Sequence, residues 1–83
     1  MKIEHLREFI VLAHFLNFGK AAEKLYITQP VLSRHIMAME DEVGAILLMR
    51  NKQSVSFTDE GRLFLREAEQ IVKRYDAALD KLR

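Results

Sequence analysis

The stretch KAAEKLYITQPVLSRHIMAMEDEVG, residues 20–44, has the pattern of two helices joined by a tight turn. Ala21, Ala22 and Leu25 give the first helix a face of small residues, against which another helix can cross closely. Residues 26–28 then interrupt the helical pattern. We therefore predict a helix-turn-helix whose second helix faces something outside the protein.

The second helix has a clear start signal. Thr28 is a good N-cap, because its hydroxyl can accept a hydrogen bond from a backbone N–H that lacks an intrahelical partner. Pro30 follows in the first turn, where its missing N–H costs nothing. A proline disfavours helical geometry in the residue before it, so Gln29 is the alternative cap.

This second helix has two chemically different faces. Steps of three and four residues form an apolar stripe made of Leu32, Ile36, Met39 and Val43. The opposite face carries Gln29, Pro30, Ser33, Arg34 and Met37. Gln can bond an adenine edge, Arg a guanine edge, and Ser a base or a phosphate. Because these side chains lie near the positive end of the helix dipole, we predict that this end enters the major groove of DNA.

Length and composition limit the classes of protein. Eighty-three residues make one small domain, close to the size at which a partner subunit is needed for stability, so oligomerisation is expected. There is no cysteine, and therefore neither a disulfide nor a thiolate metal site. Charges scattered through the apolar residues at its start leave no long apolar core, so we expect neither a signal peptide nor a membrane span. A net charge of +1 means that bulk positive charge gives no argument for nucleic acid.

The segments that flank the helix-turn-helix complete a small helical core. We predict a first helix over residues 2–16, ended by residues 17–19, with Gly19 in the left-handed conformation that closes helices. Asn17 could finish this helix or cap the next one. Residues 46–50 and 55–57 predict a β-hairpin, the wing of a winged helix. Its base and tip carry Arg50, Lys52 and Gln53, which either contact DNA or form a solvated turn.

The last helix begins with an N-cap and an acidic first turn, residues 58–61. Gly61 lowers helix propensity by about 1 kcal/mol relative to Ala, which suggests a close approach to another backbone. The helix continues to the last residue with no stop signal, so we expect a longer protein. An apolar stripe with coiled-coil spacing predicts a dimerisation seam formed by Phe64, Ala68, Ile71, Tyr75, Ala78 and Leu82. A second line beside it, Leu65, Val72 and Leu79, allows one face to pack on the domain.

Nothing in the sequence supports an enzyme, a metal site or a cofactor. His5, His14 and His35 are far apart, and none has another metal-type residue at a familiar spacing. Ser33 and its neighbours do not form a nucleophile pair, because adjacent helical residues point about 100° apart. There is also no glycine-rich phosphate loop.

Four segments together resemble the N-terminal DNA-binding domain of LysR-type transcriptional regulators. They are FGKAAEKL (18–25), QPVLSRHI (29–36), MEDEVG (39–44) and TDEG (58–61), in the order and spacing of that family. The resemblance covers essentially the whole chain. It implies a mainly α fold: a winged helix-turn-helix with a three-helix core and a two-stranded wing over residues 1–57, then a linker helix over residues 58–83 that pairs two subunits antiparallel.

The resemblance also implies partners and residue roles. Gln29, Pro30, Ser33 and Arg34 would face the major groove, Thr28 and Asn17 would reach phosphates, and the wing would present Arg50, Lys52 and Gln53. The DNA partner would be an inverted-repeat operator bound by a homodimer, higher oligomers being expected in the full-length protein. A small-molecule inducer would act through a regulatory domain absent here, in a cytoplasmic protein associated with the nucleoid.

The sequence departs from the family at four positions. Asn17 replaces the usual Ser, Met39 and Phe57 replace Leu, and Leu48 replaces Phe. The apolar exchanges affect packing only. The rival interpretation is a winged helix used for protein–protein assembly, which the low net charge favours and which Arg34 on an exposed helix end opposes.

Overall fold

The structure is a computed structural model that describes residues 1–51 and 53–83. Its elements follow the order α1 (Ile3–Phe15), α2 (Phe18–Leu25), α3 (Gln29–Val43), β1 (Leu48–Arg50), β2 (Val55–Phe57) and α4 (Asp59–Leu82). The three-helix core, the two-stranded wing and the long last helix are therefore confirmed.

The turn between α1 and α2 differs from the prediction. The first helix ends at Phe15, and Leu16 takes the left-handed conformation with φ of 49°, while Gly19 lies inside α2. Leu16 N–H donates to Leu12 O at 2.7 Å, and its side chain packs against the core. This packing holds a residue that ordinarily avoids positive φ. Asn17 caps α2, which settles the alternative left open by the sequence.

Both ends of α3 form as the sequence predicts. Thr28 is the N-cap: its hydroxyl accepts from Val31 N–H at 3.3 Å, so Gln29 is the first helical residue. Gly44 ends the helix with φ of 73°. Gly44 N–H donates to Glu40 O at 2.9 Å, which satisfies a carbonyl of the last turn.

The core lies where α1, α2 and α3 meet the base of the wing. Its largest fully buried side chains are Phe9, Leu12, Leu32, Ile36, Met39 and Leu47. Val43, the last member of the predicted stripe, is 38% exposed. It occupies the final turn of α3, which extends beyond the core.

The wing pairs Leu48 with Phe57 and Arg50 with Val55 in antiparallel register. Its first strand is shorter than predicted and begins at Leu48 rather than residue 46. The N–H groups of Leu47 and Leu48 instead donate to Glu40 Oε2, at 2.8 and 3.3 Å. This carboxylate fastens the strand to α3.

The start of α4 crosses the segment that leads into β1. Thr58 caps the helix by accepting from Gly61 N–H at 2.9 Å, and its own hydroxyl donates to Ile46 O at 2.6 Å. A Cβ on Gly61 would lie 1.9 Å from Leu47 O. The predicted close backbone approach is confirmed, and it explains a glycine in the first turn.

The rest of α4 packs across α1. The rings of Phe9 and Phe64 meet edge to face with centroids 5.2 Å apart, and Ala68 has no exposed surface. Farther along, Arg7 donates two hydrogen bonds to the Asp76 carboxylate, at 2.5 and 3.1 Å. From Phe64 to Asp76, α4 is thus part of the same packed unit as the winged helix.

Candidate nucleic-acid interface

The N-terminal end of α3 presents a polar face to solvent. Gln29, Pro30 and Arg34 are exposed, and Ser33 is partly exposed. On the opposite side, Leu32 and the other buried residues of α3 hold the helix in the core. The predicted major-groove side chains therefore share one accessible face of a rigid element.

A cleft of about 290 Å³ separates this face from the wing. Five of the residues predicted to contact DNA line it: Asn17, Gln29, Ser33, Arg50 and Gln53. Thr28, Pro30 and Arg34 do not line the cleft, and lie on the exposed end of α3 or just before it. Lys52, the other predicted wing contact, lies outside the described residues.

Arg50 joins three elements in this cleft. Its Nη1 donates to Ser33 Oγ at 3.0 Å, and its guanidinium carbon lies 4.4 Å from the centroid of the Phe18 ring. A cation over an aromatic face is attracted by the ring quadrupole, by about 0.5–1 kcal/mol at an exposed site. The side chain from β1 thus sets the position of the wing relative to α2 and α3.

The N-terminus of α2 forms another wall of the cleft. Asn17 Oδ1 accepts from Lys20 N–H at 2.8 Å, so the carbonyl of this side chain is engaged in capping. Its amide group keeps two donors for a phosphate oxygen. A Cβ on Gly19 would lie 3.4 Å from Asn17 Oδ1 and 3.7 Å from Gln29 Oε1, so a larger residue there would narrow the cleft.

The turn of the wing is organised by Asn51. Its Oδ1 accepts from the N–H groups of Gln53 and Ser54, at 2.8 and 2.9 Å. Asn51 N–H also donates to Ser54 O at 3.0 Å. Sequence reasoning did not identify this role, although asparagine at the first position of a turn is a known signal. Phe18 and Gly19 were missed as lining residues, because only the folded structure places α2 beside the wing.

The predicted seam of α4 divides into two groups. Phe64 and Ala68 pack within the chain, and Ala68 has no surface left to contact a partner subunit. The other four residues of the seam are exposed: Ile71, Tyr75, Ala78 and Leu82. The sequence pattern alone could not separate the two groups, because both lie on adjacent turns of the same stripe.

The fold brings together two histidines that are distant in sequence. The rings of His5 and His35 have centroids 4.4 Å apart, and His35 Nδ1 lies 2.7 Å from Glu8 Oε1. These contacts link α1 to α3. Over residues 1–51 and 53–83, no group of three His, Cys, Asp or Glu side chains is arranged to hold a metal ion. None of the helices in that part of the chain has the length and hydropathy needed to cross a membrane.

Comparison with known proteins shows the family to which this chain belongs. Residues 3–62 match the family model described as "Bacterial regulatory helix-turn-helix protein, lysR family". The uncharacterized HTH-type transcriptional regulator YnfL of Escherichia coli K12 is 44% identical over 78 residues, which cover 94% of this chain and 26% of YnfL. The chain thus spans about a quarter of the length of the curated relatives it matches.

Solved structures of DNA complexes show the same fold. The DNA-binding domain of CbnR in complex with DNA superposes with a TM-score of 0.96 at 31% identity, covering 100% of this chain and 95% of that one. The BenM DNA-binding domain bound to the catB site 1 DNA gives a TM-score of 0.92 at 38% identity, with coverages of 99% and 92%.

Proposed function

Because this chain belongs to the lysR family of bacterial regulatory helix-turn-helix proteins, we propose that the N-terminal end of its α3 reads base edges in the major groove. The chain is a LysR-type DNA-binding domain, and proteins of this family are regulators rather than enzymes. The observation that carries the proposal is the exposed polar end of α3 beside a polar cleft, into which the wing brings Arg50.

The base-reading residues are Gln29 and Arg34. Both are exposed within the first two turns of α3, where side chains reach farthest into a groove. Glutamine has the donor and acceptor geometry for adenine, and arginine for guanine. Pro30 and Ser33 lie on the same face and contribute shape and a hydroxyl contact.

A second group of residues anchors the phosphate backbone. Thr28 retains its hydroxyl proton as a donor, and Asn17 retains its amide group, while each oxygen caps a helix. From the wing, Arg50, Lys52 and Gln53 supply the remaining contacts. These groups position the protein on the duplex without reading sequence directly.

The functional unit is a homodimer formed through α4. Its exposed apolar side chains are Ile71, Tyr75, Ala78 and Leu82, while Phe64 and Ala68 stabilise the helix from within the chain. Because the two recognition helices are related by a twofold axis, the DNA site should be an inverted repeat. Its half-sites should lie about one helical turn apart or slightly more. The complete protein carries a regulatory domain for a small-molecule inducer and acts in the bacterial cytoplasm, at the nucleoid.

Selection from random-sequence duplexes, read by gel shift, tests this function. We expect retained fragments to share an inverted repeat and to bind this domain better than scrambled duplexes of equal length. The competing function, a winged helix devoted to protein–protein assembly, predicts no enrichment of any sequence. It also predicts no loss of binding when Arg34 is replaced by Ala.

A further inference from the structure

Met37 is a large apolar side chain on the solvent face of α3. It is 53% exposed, whereas Met39, two residues farther along the same helix, is 2% exposed and belongs to the core. A single exposed apolar residue is ordinary on a protein surface. The position of Met37 is not ordinary, because the polar residues around it are the proposed DNA contacts.

Around the helix, Met37 lies between Ser33 and Arg34. At about 100° per residue, it is about 40° from Ser33 and about 60° from Arg34, one turn farther from the N-terminus. Leu32, which has no exposed surface, lies about 140° away on the core side. A duplex that contacts both Ser33 and Arg34 therefore covers Met37 as well.

Distances along α3 place Met37 inside the groove rather than beyond it. At about 1.5 Å per residue, its Cα lies about 12 Å along the axis from that of Gln29 and about 4.5 Å from that of Arg34. The major groove is about 12 Å wide, so the segment from Gln29 to Met37 has the length that crosses it. Because base pairs are about 3.4 Å apart, Met37 comes within about two base pairs of the base that Arg34 reads.

The chemistry of the side chain limits what it can contact there. A thioether has no hydrogen-bond donor, and its sulfur is only a weak acceptor. Against the polar edge of guanine, cytosine or adenine, it would displace water from donors and acceptors without replacing their hydrogen bonds. The 5-methyl group of thymine is the apolar group that base edges present in the major groove. A flexible, polarizable methionine adapts well to such a group.

We propose that Met37 packs against the 5-methyl group of a thymine in each half-site, within about two base pairs of the base read by Arg34. The inference rests on the DNA reading proposed above and deepens it. It assigns a base preference to a side chain that forms no hydrogen bond with the base. Thymine is then selected at that position by apolar contact alone.

Replacement of thymine by deoxyuracil tests this contact, because it removes only the methyl group. In the selected inverted repeat, each thymine of one half-site is replaced in turn, and the affinity is measured by fluorescence anisotropy. We expect one position at which uracil raises the dissociation constant of the parent by about threefold to fivefold, the effect of leaving one methyl group unburied.

A double-mutant cycle assigns the effect to Met37. Met37→Ala should bind the thymine and uracil duplexes with nearly equal affinity, because the side chain that met the methyl group is gone. Met37→Leu, which keeps an apolar side chain of similar volume, should retain most of the discrimination. The matched control is Met49→Ala, which removes a methionine that is 58% exposed on the face of β1 opposite to Arg50. It should discriminate as the parent does.

The outcomes separate this inference from the proposed function. Equal discrimination between thymine and uracil in the parent and in Met37→Ala would overturn the contact, and so would a parent that discriminates at no thymine of the half-site. Either result leaves base reading by Arg34 intact if the parent still prefers the selected repeat over a scrambled duplex. A parent without that preference would defeat both the contact and the proposed function.

Discussion

Arg50 Nη1 donates a hydrogen bond of 3.0 Å to Ser33 Oγ, which ties the first strand of the wing to the recognition face of α3. The same guanidinium lies over the ring of Phe18. One side chain thus connects the wing, α2 and α3 across the cleft that we propose as the DNA interface. The bond to Ser33 engages one of five guanidinium N–H donors, so we propose that Arg50 can contact a phosphate while it keeps this bond.

Replacement of Arg50 should therefore affect the affinity for DNA. We expect Arg50→Ala to weaken binding to all DNA sequences and to reduce the slope of log affinity against log salt by about one unit per subunit, or about two for the dimer. Arg50→Lys should keep most of that slope, because it keeps the charge. Fluorescence anisotropy over a range of salt concentrations measures the affinity and its salt slope. An unchanged slope in Arg50→Ala would contradict phosphate contact by this residue.

The contact between α4 and the segment before β1 predicts a severe effect at Gly61. A methyl group there would meet Leu47 O at 1.9 Å, so the backbone must shift. Gly61→Ala should lower the free energy of unfolding by about 1–3 kcal/mol, as measured by urea denaturation.

Gly19→Ala is the matched control in another helix. Its new Cβ would lie at ordinary contact distance, 3.4 Å from Asn17 Oδ1. Because alanine has the higher helix propensity, this variant should be about as stable as the parent or slightly more stable. Equal destabilisation of both variants would show that the close approach at Leu47 is unimportant.

The ion pair between α1 and α4 predicts a pH dependence. Arg7 lowers the pKa of Asp76 below its ordinary value, mainly by hydrogen bonding to the carboxylate. Since the folded-state pKa is the lower one, the pair contributes stability above the unfolded value of about 3.9, and this contribution is lost as the pH falls through the folded value. Both side chains are partly exposed, so the effect is modest.

Melting temperatures measured from pH 7 down to pH 2 test this pair. Asp76→Asn should lower the melting temperature at neutral pH, and the difference from the parent should shrink as the pH falls below about 4. Asp80→Asn, on the same helix and outside that contact, should leave the curve nearly parallel to that of the parent. A difference for Asp76→Asn that persists unchanged at pH 2 would contradict the assignment.

The sequence predicts local features of this fold well, because caps and turns depend on neighbouring residues. Thr28, Gly44 and Thr58 all take the roles that their chemistry indicates. The left-handed residue before α2 could not be predicted, since Leu16 adopts that conformation through packing against the core rather than through intrinsic preference. Likewise, the cleft partners of Arg50 come from separate segments that only tertiary structure brings together.

A further prediction concerns effectors. We propose that the inducer acts through a regulatory domain outside these 83 residues, and so no small molecule should change the DNA affinity of this chain. Titration of candidate metabolites during anisotropy measurements tests this. A saturable shift in affinity with any of them would place a sensing site within this domain.

The central claim is that the exposed end of α3 reads sequence. The most direct measurement is the ratio of affinities for the selected inverted repeat and for a scrambled duplex, compared between the parent and Arg34→Ala. Asp41→Ala, an exposed position near the C-terminal end of the same helix, is the matched control. We predict that Arg34→Ala weakens the free energy of binding to the selected site by about 1–3 kcal/mol, and to the scrambled duplex by much less. The ratio of the two affinities should therefore fall at least severalfold. An unchanged ratio in Arg34→Ala would contradict base reading by α3.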